Sequence, residues 1–473
     1  MKRLLLPLLA AAGAALAATP PNVVFIISDD HAWTDYSFMG HPHIETPHLD
    51  RLAASGATFT RGYVPTALCR PALATFANGL HAHQHKITGN DPAQLTEMQG
   101  GAAKAKGKGK GKGGGGEPEA YRELREGMIA NFYKHPNLAQ WLGGQGYASH
   151  QSGKWWEGSW QRGGFTAGMT RGFPEPGGRH GDDGLKIGRE GMEPVFEFID
   201  RAVADKKPFY TWYAPFMPHT PHTPPERLFA KYKSKGIESD FVARYYAMVE
   251  WFDETVGQLL DHLEARGVMD NTLIVYVADN GWIQDPQSGG YAPKSKQSAN
   301  EGGTRQPTFF SWRGVIKPGD RGGQLCSSVD IVPTILAAAG VEVPASLPGI
   351  NLLPYLKSGE PSPRREVFGE TFAHDVPDID DPEAGLLYRW VVEEDWKLLL
   401  TYDGKLGRYA SSHPRQEKRP QLFNLTEDPH EERNLAAQNP EIVARLAARL
   451  QEWWPVTKRK VLTEWSETRR EWD

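Results

Sequence analysis

Cysteine is nearly absent: only Cys69 and Cys326 occur in 473 residues. That excludes a disulfide-built scaffold and leaves an exported chain with one bridge or none. Long apolar runs are missing too, since none after Ala17 reaches the ~18 residues that a membrane-spanning helix needs. The mature chain is therefore expected to be soluble, with no membrane span. A strong charge bias is the third absence. The formal net charge of −5 gives no ground for a nucleic acid partner.

What is present divides the chain into parts. Met1-Lys2-Arg3, an apolar run from Leu4 to Ala17 and the small-residue site Ala15-Leu16-Ala17 form a secretory signal pattern over residues 1–17. Export to the periplasm or the extracellular space follows, with a mature start near Ala18. Residues 18–358 read as one large domain, interrupted by a Gly/Lys repeat over residues 100–116 that cannot build a core and is expected to be a disordered insertion. Beyond Ser358, short strand-like stretches around Tyr388–Val392, Trp396–Leu400 and Gln421–Leu425 precede a helix through Ile442, Leu446 and Leu450. Residues 359–473 thus read as a smaller α+β subdomain.

Two nearly continuous apolar runs, Asn22–Ser28 and Thr272–Val277, have the pattern of strands buried on both faces of a parallel sheet. The first runs into Asp29-Asp30 and the second into Asp279-Asn280. Ligands of open α/β sheets bind beyond the carboxyl ends of the strands. Four oxygen-bearing side chains at one sheet edge suit a hard divalent cation, with Ca²⁺ favoured over Mg²⁺. Taken alone, Asp29-Asp30 also reads as a turn.

Between these strands the chain offers a helix from Thr46-Pro47 to Gly56 and a second helix that carries Cys69, with Pro71 as its first residue and Gly79 at its exit. Cys69 then meets the free N–H groups of a helix start, which stabilise an anion. Ser239 caps a long helix whose apolar positions Phe241, Tyr245, Val249, Phe252, Val256, Leu259 and Leu263 repeat every 3.6 residues until Gly267. His81, His83 and His85 would share a face in an extended segment, where a pocket wall or polar turn is the preferred reading over a metal site. Cys326 reads as a small core residue.

The order of these motifs resembles the type I sulfatases of the alkaline-phosphatase-like superfamily. Cys69-Arg70-Pro71 matches their Cys-x-Pro, but Leu73 stands where they carry arginine. Gly153-Lys154-Trp155-Trp156 resembles Gly-Lys-Trp-His, with Trp156 in the histidine position. Pro218-His219-Thr220-Pro221 matches Pro-His-x-Pro, and Lys296 precedes Glu301-Gly302-Gly303-Thr304-Arg305 as the family lysine does. The resemblance implies an α/β fold with a large, mostly parallel sheet sandwiched by helices. It also implies a sulfate ester hydrolase whose nucleophile is a formylglycine made from Cys69 by a formylglycine-generating enzyme. Asp29, Asp30, Asp279 and Asn280 would hold the metal, and Lys154, His219 and Lys296 would grip the sulfate.

Leucine cannot supply arginine's charged hydrogen bonds, nor tryptophan the proton transfer of histidine. The paired changes predict a rebuilt apolar wall in which Leu73 packs on Trp156. Arg70, His31 or a histidine of the 81–85 run is then expected to supply the lost function. Arg70, Trp156, His222 and His180 are the candidate substrate contacts, with Asp182 and Asp183 beside His180. Trp33, Trp155, Trp156, Trp160 and Trp282 suggest stacking on the sugar faces of a sulfated carbohydrate. A phosphate or phosphonate ester hydrolase and a non-catalytic glycan-binding protein are the alternatives on the same scaffold.

Overall fold

The computed structural model describes residues 19–93, 118–404 and 419–463. The expected signal peptide and the Gly/Lys insertion lie outside the described residues. Eight strands form the main sheet, in the spatial order Gly319–Asp320, Ala57–Phe59, Thr308–Ser311, Thr272–Ala278, Asn22–Ser28, Phe209–Ala214, Ala148–Gly153, Ala167–Gly168. All neighbouring pairs are parallel except the two made by Thr308–Ser311.

Asn22–Ser28 lies at the centre, and its alternation divides the interior in two. Val23, Phe25 and Ile27 face one core together with Phe76 and Ala77 of the Cys69 helix. Val24 and Ile26 face the other, against Phe252, Val256 and Leu259 of the long helix Asp240–Ala265. Burying side chains of this size contributes about 1.5–3 kcal/mol each. Six of the seven periodic positions named for that helix are buried. Phe241, in its first turn, is instead 42% exposed, because the apolar stripe starts one turn later.

The smaller sheet is antiparallel, in the order Glu366–Phe372, Leu386–Glu393, Trp396–Thr401, Gln421–Asn424. Helix Pro440–Trp453 packs on it through Leu446 and Leu450. The first of these strands, Glu366–Phe372, was not apparent in the sequence pattern.

A buried charge cluster joins this sheet to the short helix Glu301–Thr304 and to strand Arg61–Tyr63. Lys397 donates to Glu301 Oε1 at 2.9 Å and pairs with Glu431 at 3.1 Å. Glu301 also accepts from the Tyr63 hydroxyl at 3.0 Å, and its own N–H donates to the Glu431 carboxylate at 2.7 Å. Burial pushes the Glu431 carboxyl up even though Lys397 opposes the shift.

Candidate active site

The site forms where the two central strands end. Their register pairs Ser28 with Ala278, so Asp29 emerges beside Asp279. Asp279 N–H donates to Ser28 O at 2.9 Å. Asp30 adopts φ 63°, a left-handed conformation uncommon outside glycine, and its N–H donates to Asp279 Oδ1 at 3.0 Å. Asn280 Nδ2 donates to Asp30 Oδ1 at 2.6 Å. The four metal candidates therefore converge, and none is more than 2% exposed.

Their chemistry fits a hard cation. Asp279 Oδ2 and Asn280 Oδ1 are buried with no hydrogen-bond partner, an arrangement that costs about 1–3 kcal/mol per group unless something satisfies it. Three carboxylates face the ammonium groups of Lys154 and Lys296, which leaves one negative charge in excess. Burial pushes the Asp29 carboxyl well above its ordinary range despite Lys154, and Asp279 and Asp30 add to the shift. A divalent ion at these oxygens would relieve all three strains.

The remaining catalytic candidates gather around the same point. Ligating atoms of Asp29, Asp30, Cys69 and His219 all lie within 4.8 Å of one another. Cys69 is the first residue of helix Cys69–Asn78, and Leu68, in extended conformation, precedes it. The helix thus begins two residues before the expected Pro71. A proline is tolerated anywhere in the first turn, where its missing N–H has no partner to lose. Gly79 closes the helix at φ 75°, with its N–H on Thr75 O at 2.7 Å. Burial holds the Cys69 thiol up at about 12, although Lys154 and Lys296 pull it down. Unmodified, Cys69 is a neutral thiol and a poor nucleophile near pH 7. Both cysteines are free.

Lys154 follows strand Ala148–Gly153 and donates to Asp29 Oδ1 at 2.8 Å. The preceding residue must be glycine: Gly153 sits at φ 81°, and a Cβ there would meet Ala214 O at 1.8 Å. Lys296 donates to both Asp30 oxygens, at 2.6 and 2.8 Å. Burial alone would depress both lysines, but the aspartates hold them charged. His219 Nε2 lies 3.3 Å from Asp30 Oδ2, while Nδ1 is bonded to Thr220 O at 2.6 Å. That bond places a proton on Nδ1, so Nε2 is the atom free to exchange one in the site.

The candidate substrate contacts fare differently. Arg70 is fully buried and donates to Glu157 from Nε and Nη2, each at 2.8 Å, and to Asn90 O from Nη1. It is therefore a structural pin rather than a hand for substrate. His31 spends both ring nitrogens, on Ser28 Oγ and Asp35 O. The 81–85 run is a helical turn, Ala82–His85, rather than an extended segment. His83 pairs with Glu370 at 2.6 Å and stacks on Trp454 at 4.4 Å; His81 packs edge-on against Trp453. These histidines dock the C-terminal helix.

Asp182 accepts from the N–H groups of Arg171 and Gly172, and Asp183 pairs with Lys186, so both hold their own loop.

His180 and His222 remain available at the rim. His180 lies between Trp156 at 5.2 Å and Phe216 at 5.6 Å, and its Nδ1 is buried without a partner. His222 packs against Tyr245 and Trp282, and its Nε2 is likewise unpartnered. Burial lowers both imidazoles, to about 3 and about 4, so both are neutral near pH 7. Trp33 stacks on Arg305 at 4.1 Å and Trp282 lies 5.6 Å from Lys296, while Trp155 packs into the core.

Leu73 and Trp156 belong to one buried apolar cluster. Trp156 also receives the guanidinium groups of Arg179 at 4.7 Å and Arg125 at 5.9 Å. Both arginines are anchored on Asp91, an acid that the sequence pattern did not single out. Leu73 is 4% exposed, so its space is filled. Leu73→Arg, which would restore the motif arginine, is expected to lower stability by at least about 3 kcal/mol through an unpaired buried charge. Urea unfolding of the two proteins measures this directly.

A mostly parallel sheet with acidic residues at the ends of its central strands, a helix-borne cysteine beside them and lysines on the acids fits the alkaline-phosphatase-like class of ester hydrolases. The sulfatase family profile matches residues 21–341, and the profile of the C-terminal region of N-sulphoglucosamine sulphohydrolase matches residues 294–454. The chain belongs to the sulfatase family and is by class a sulfuric ester hydrolase. It is 28% identical to human arylsulfatase A, over 93% of this chain and 89% of that protein. Against rat N-acetylgalactosamine-6-sulfatase the identity is 29%, over 76% of this chain and 70% of that one. The fold superposes on Ps i-CgsB in complex with k-i-k-neocarrahexaose with a TM-score of 0.70 at 22% identity, covering 93% and 94% of the two chains. No described helix is long and apolar enough to cross a membrane.

Proposed function

We propose that this chain is an exported sulfatase that hydrolyses a sulfate ester on a carbohydrate, with formylglycine made from Cys69 and a bound Ca²⁺. One observation carries this reading: Cys69 at a helix start, two aspartates and His219 share one buried point with Lys154 and Lys296 on the aspartates. The divalent ion, held by Asp29, Asp30, Asp279 and Asn280, would polarise a sulfate oxygen and stabilise the attacking oxygen. Lys154 and Lys296 bind the non-bridging oxygens and neutralise charge that grows in the transition state. His219 moves a proton at Nε2, beside the ester oxygen that leaves. The rim histidines His180, against Phe216, and His222, against Trp282, are the candidate contacts for the alcohol part. A carbohydrate substrate is supported by the named activity of the N-acetylgalactosamine-6-sulfatase relative.

Peptide mass spectrometry across Cys69 tests the nucleophile, in a host that matures a control sulfatase. Replacement of sulfur and two hydrogens by one oxygen is expected; an intact thiol beside a converted control would refute the formylglycine mechanism. For the metal, dialysis against a chelator is expected to reduce turnover of an aryl sulfate at least about 100-fold, with Ca²⁺ restoring more activity than Mg²⁺. Turnover that survives chelation would remove the cation from the reading. Phosphate and phosphonate esters assayed beside the sulfate ester should be the poorer substrates.

A further inference from the structure

Arg189 is absent from every motif above, yet its guanidinium is wholly committed to one loop. A tight turn, closed by Gly188 N–H donating to Gly191 O at 2.9 Å, presents the side chain. Nε and Nη2 donate to Phe216 O at 2.8 and 2.7 Å, and Nη2 donates to His219 O at 2.8 Å. Nη1 donates to Pro221 O at 3.2 Å and to Thr223 Oγ1 at 3.1 Å. The group also lies over the Phe216 ring at 5.3 Å, the same ring that meets Lys154 at 5.2 Å and stacks on His219 at 4.3 Å.

These contacts span the segment 216–223, which carries both His219 and His222. Backbone ties that segment to the end of the central strand, where Asp29 N–H donates to Met217 O at 3.0 Å; the Phe216, His219 and Pro221 carbonyls are met by the Arg189 side chain. Five N–H bonds in the planar geometry of one guanidinium fix four oxygens at once, which the single ammonium of a lysine cannot reproduce.

We propose that Arg189 is the positioning residue for His219, locking the 216–223 loop so that Nε2 stays over Asp30. The inference deepens the sulfate ester reading and rests on it for its kinetic consequence only. Displacing a reacting group by about 1 Å costs on the order of 100-fold in rate.

The experiment compares wild type, Arg189→Met and Arg189→Lys as full chains, by hydrogen exchange mass spectrometry and by aryl sulfate turnover. Faster exchange in peptides covering 216–223, with other regions unchanged, is expected in both variants. A fall in kcat of about 10- to 100-fold, with KM changed far less, should accompany it. Added guanidinium chloride at millimolar concentration should restore part of the kcat lost in Arg189→Met, while methylammonium should not. If Arg189→Lys matches wild type, charge alone matters and the clamp is overturned. Unchanged loop exchange overturns it as well. Should Arg189→Met fail to fold, Arg189→Lys carries both measurements. If wild type cleaves no sulfate ester, the functional reading falls, and loop exchange still decides the clamp.

Discussion

Cys69→Ala is expected to abolish sulfate ester turnover, by roughly 10⁴- to 10⁶-fold, while leaving the fold intact. The scale follows from what one nucleophile contributes when the surrounding site remains assembled. Alanine keeps the apolar contacts of a side chain that is only 1% exposed and sits in the main core, because a free cysteine packs as a small hydrophobe. Lys154, Lys296 and the aspartates do not depend on the thiol for their hydrogen bonds. A thermal melt close to wild type, together with lost turnover, would assign the loss to chemistry. Retention of more than about a tenth of wild-type activity would move the nucleophile elsewhere.

Lys397→Met carries the largest expected effect on stability, about 3–5 kcal/mol, because it strands Glu431 as a buried carboxylate and leaves Glu301 with only the Arg305 guanidinium, 3.8 Å away. The Glu301 N–H and the Tyr63 hydroxyl are neutral donors and cannot replace the ammonium. The deficit has a defined pH dependence. Burial already raises the folded-state pKa of Glu431, and removing Lys397 raises it further, so the folded form binds a proton more readily than the unfolded form. Stability tied to such a raised acid is present below the unfolded glutamate pKa of about 4.3 and is lost as pH rises through the folded value. The gap between wild type and Lys397→Met should therefore narrow towards pH 4 and widen towards pH 7. Denaturant unfolding at both pH values tests it; a gap independent of pH would show that the carboxylates are not the cause.

The sheet, the acidic edge of its central strands and the Cys69 helix were legible because each rests on local signals. Continuous apolar runs such as Asn22–Ser28 and Thr272–Val277 are the pattern of central strands, and the paired polar residues that follow each mark the same sheet edge. Pro71 and Gly79 bracket a helix start and stop. What stayed hidden depends on contacts distant in sequence. Arg70 stands next to Cys69, but its partner Glu157 lies 87 positions away. Arg189 sits in a Gly-Arg-Glu-Gly turn with no motif to mark it, and Asp91 is recognised only once Arg125 and Arg179 fold onto it. Glu366–Phe372 alternates too weakly to read as a strand until Leu386–Glu393 pairs with it.

The aromatic contact between the His81–His83 turn and Trp453 and Trp454 has a bearing on the order of biosynthesis. Those tryptophans end the last described helix, and they close over the turn that follows the Cys69 helix. A chain emerging from its N-terminus exposes Cys69 early, and the helix that helps to cover this region is made several hundred residues later. At synthesis rates of about 5–20 residues per second, that interval lasts on the order of tens of seconds. Until Trp453 and Trp454 dock, the turn that follows the Cys69 helix lacks its aromatic cover, so a protein that modifies the thiol would meet this region before its last packing contact forms.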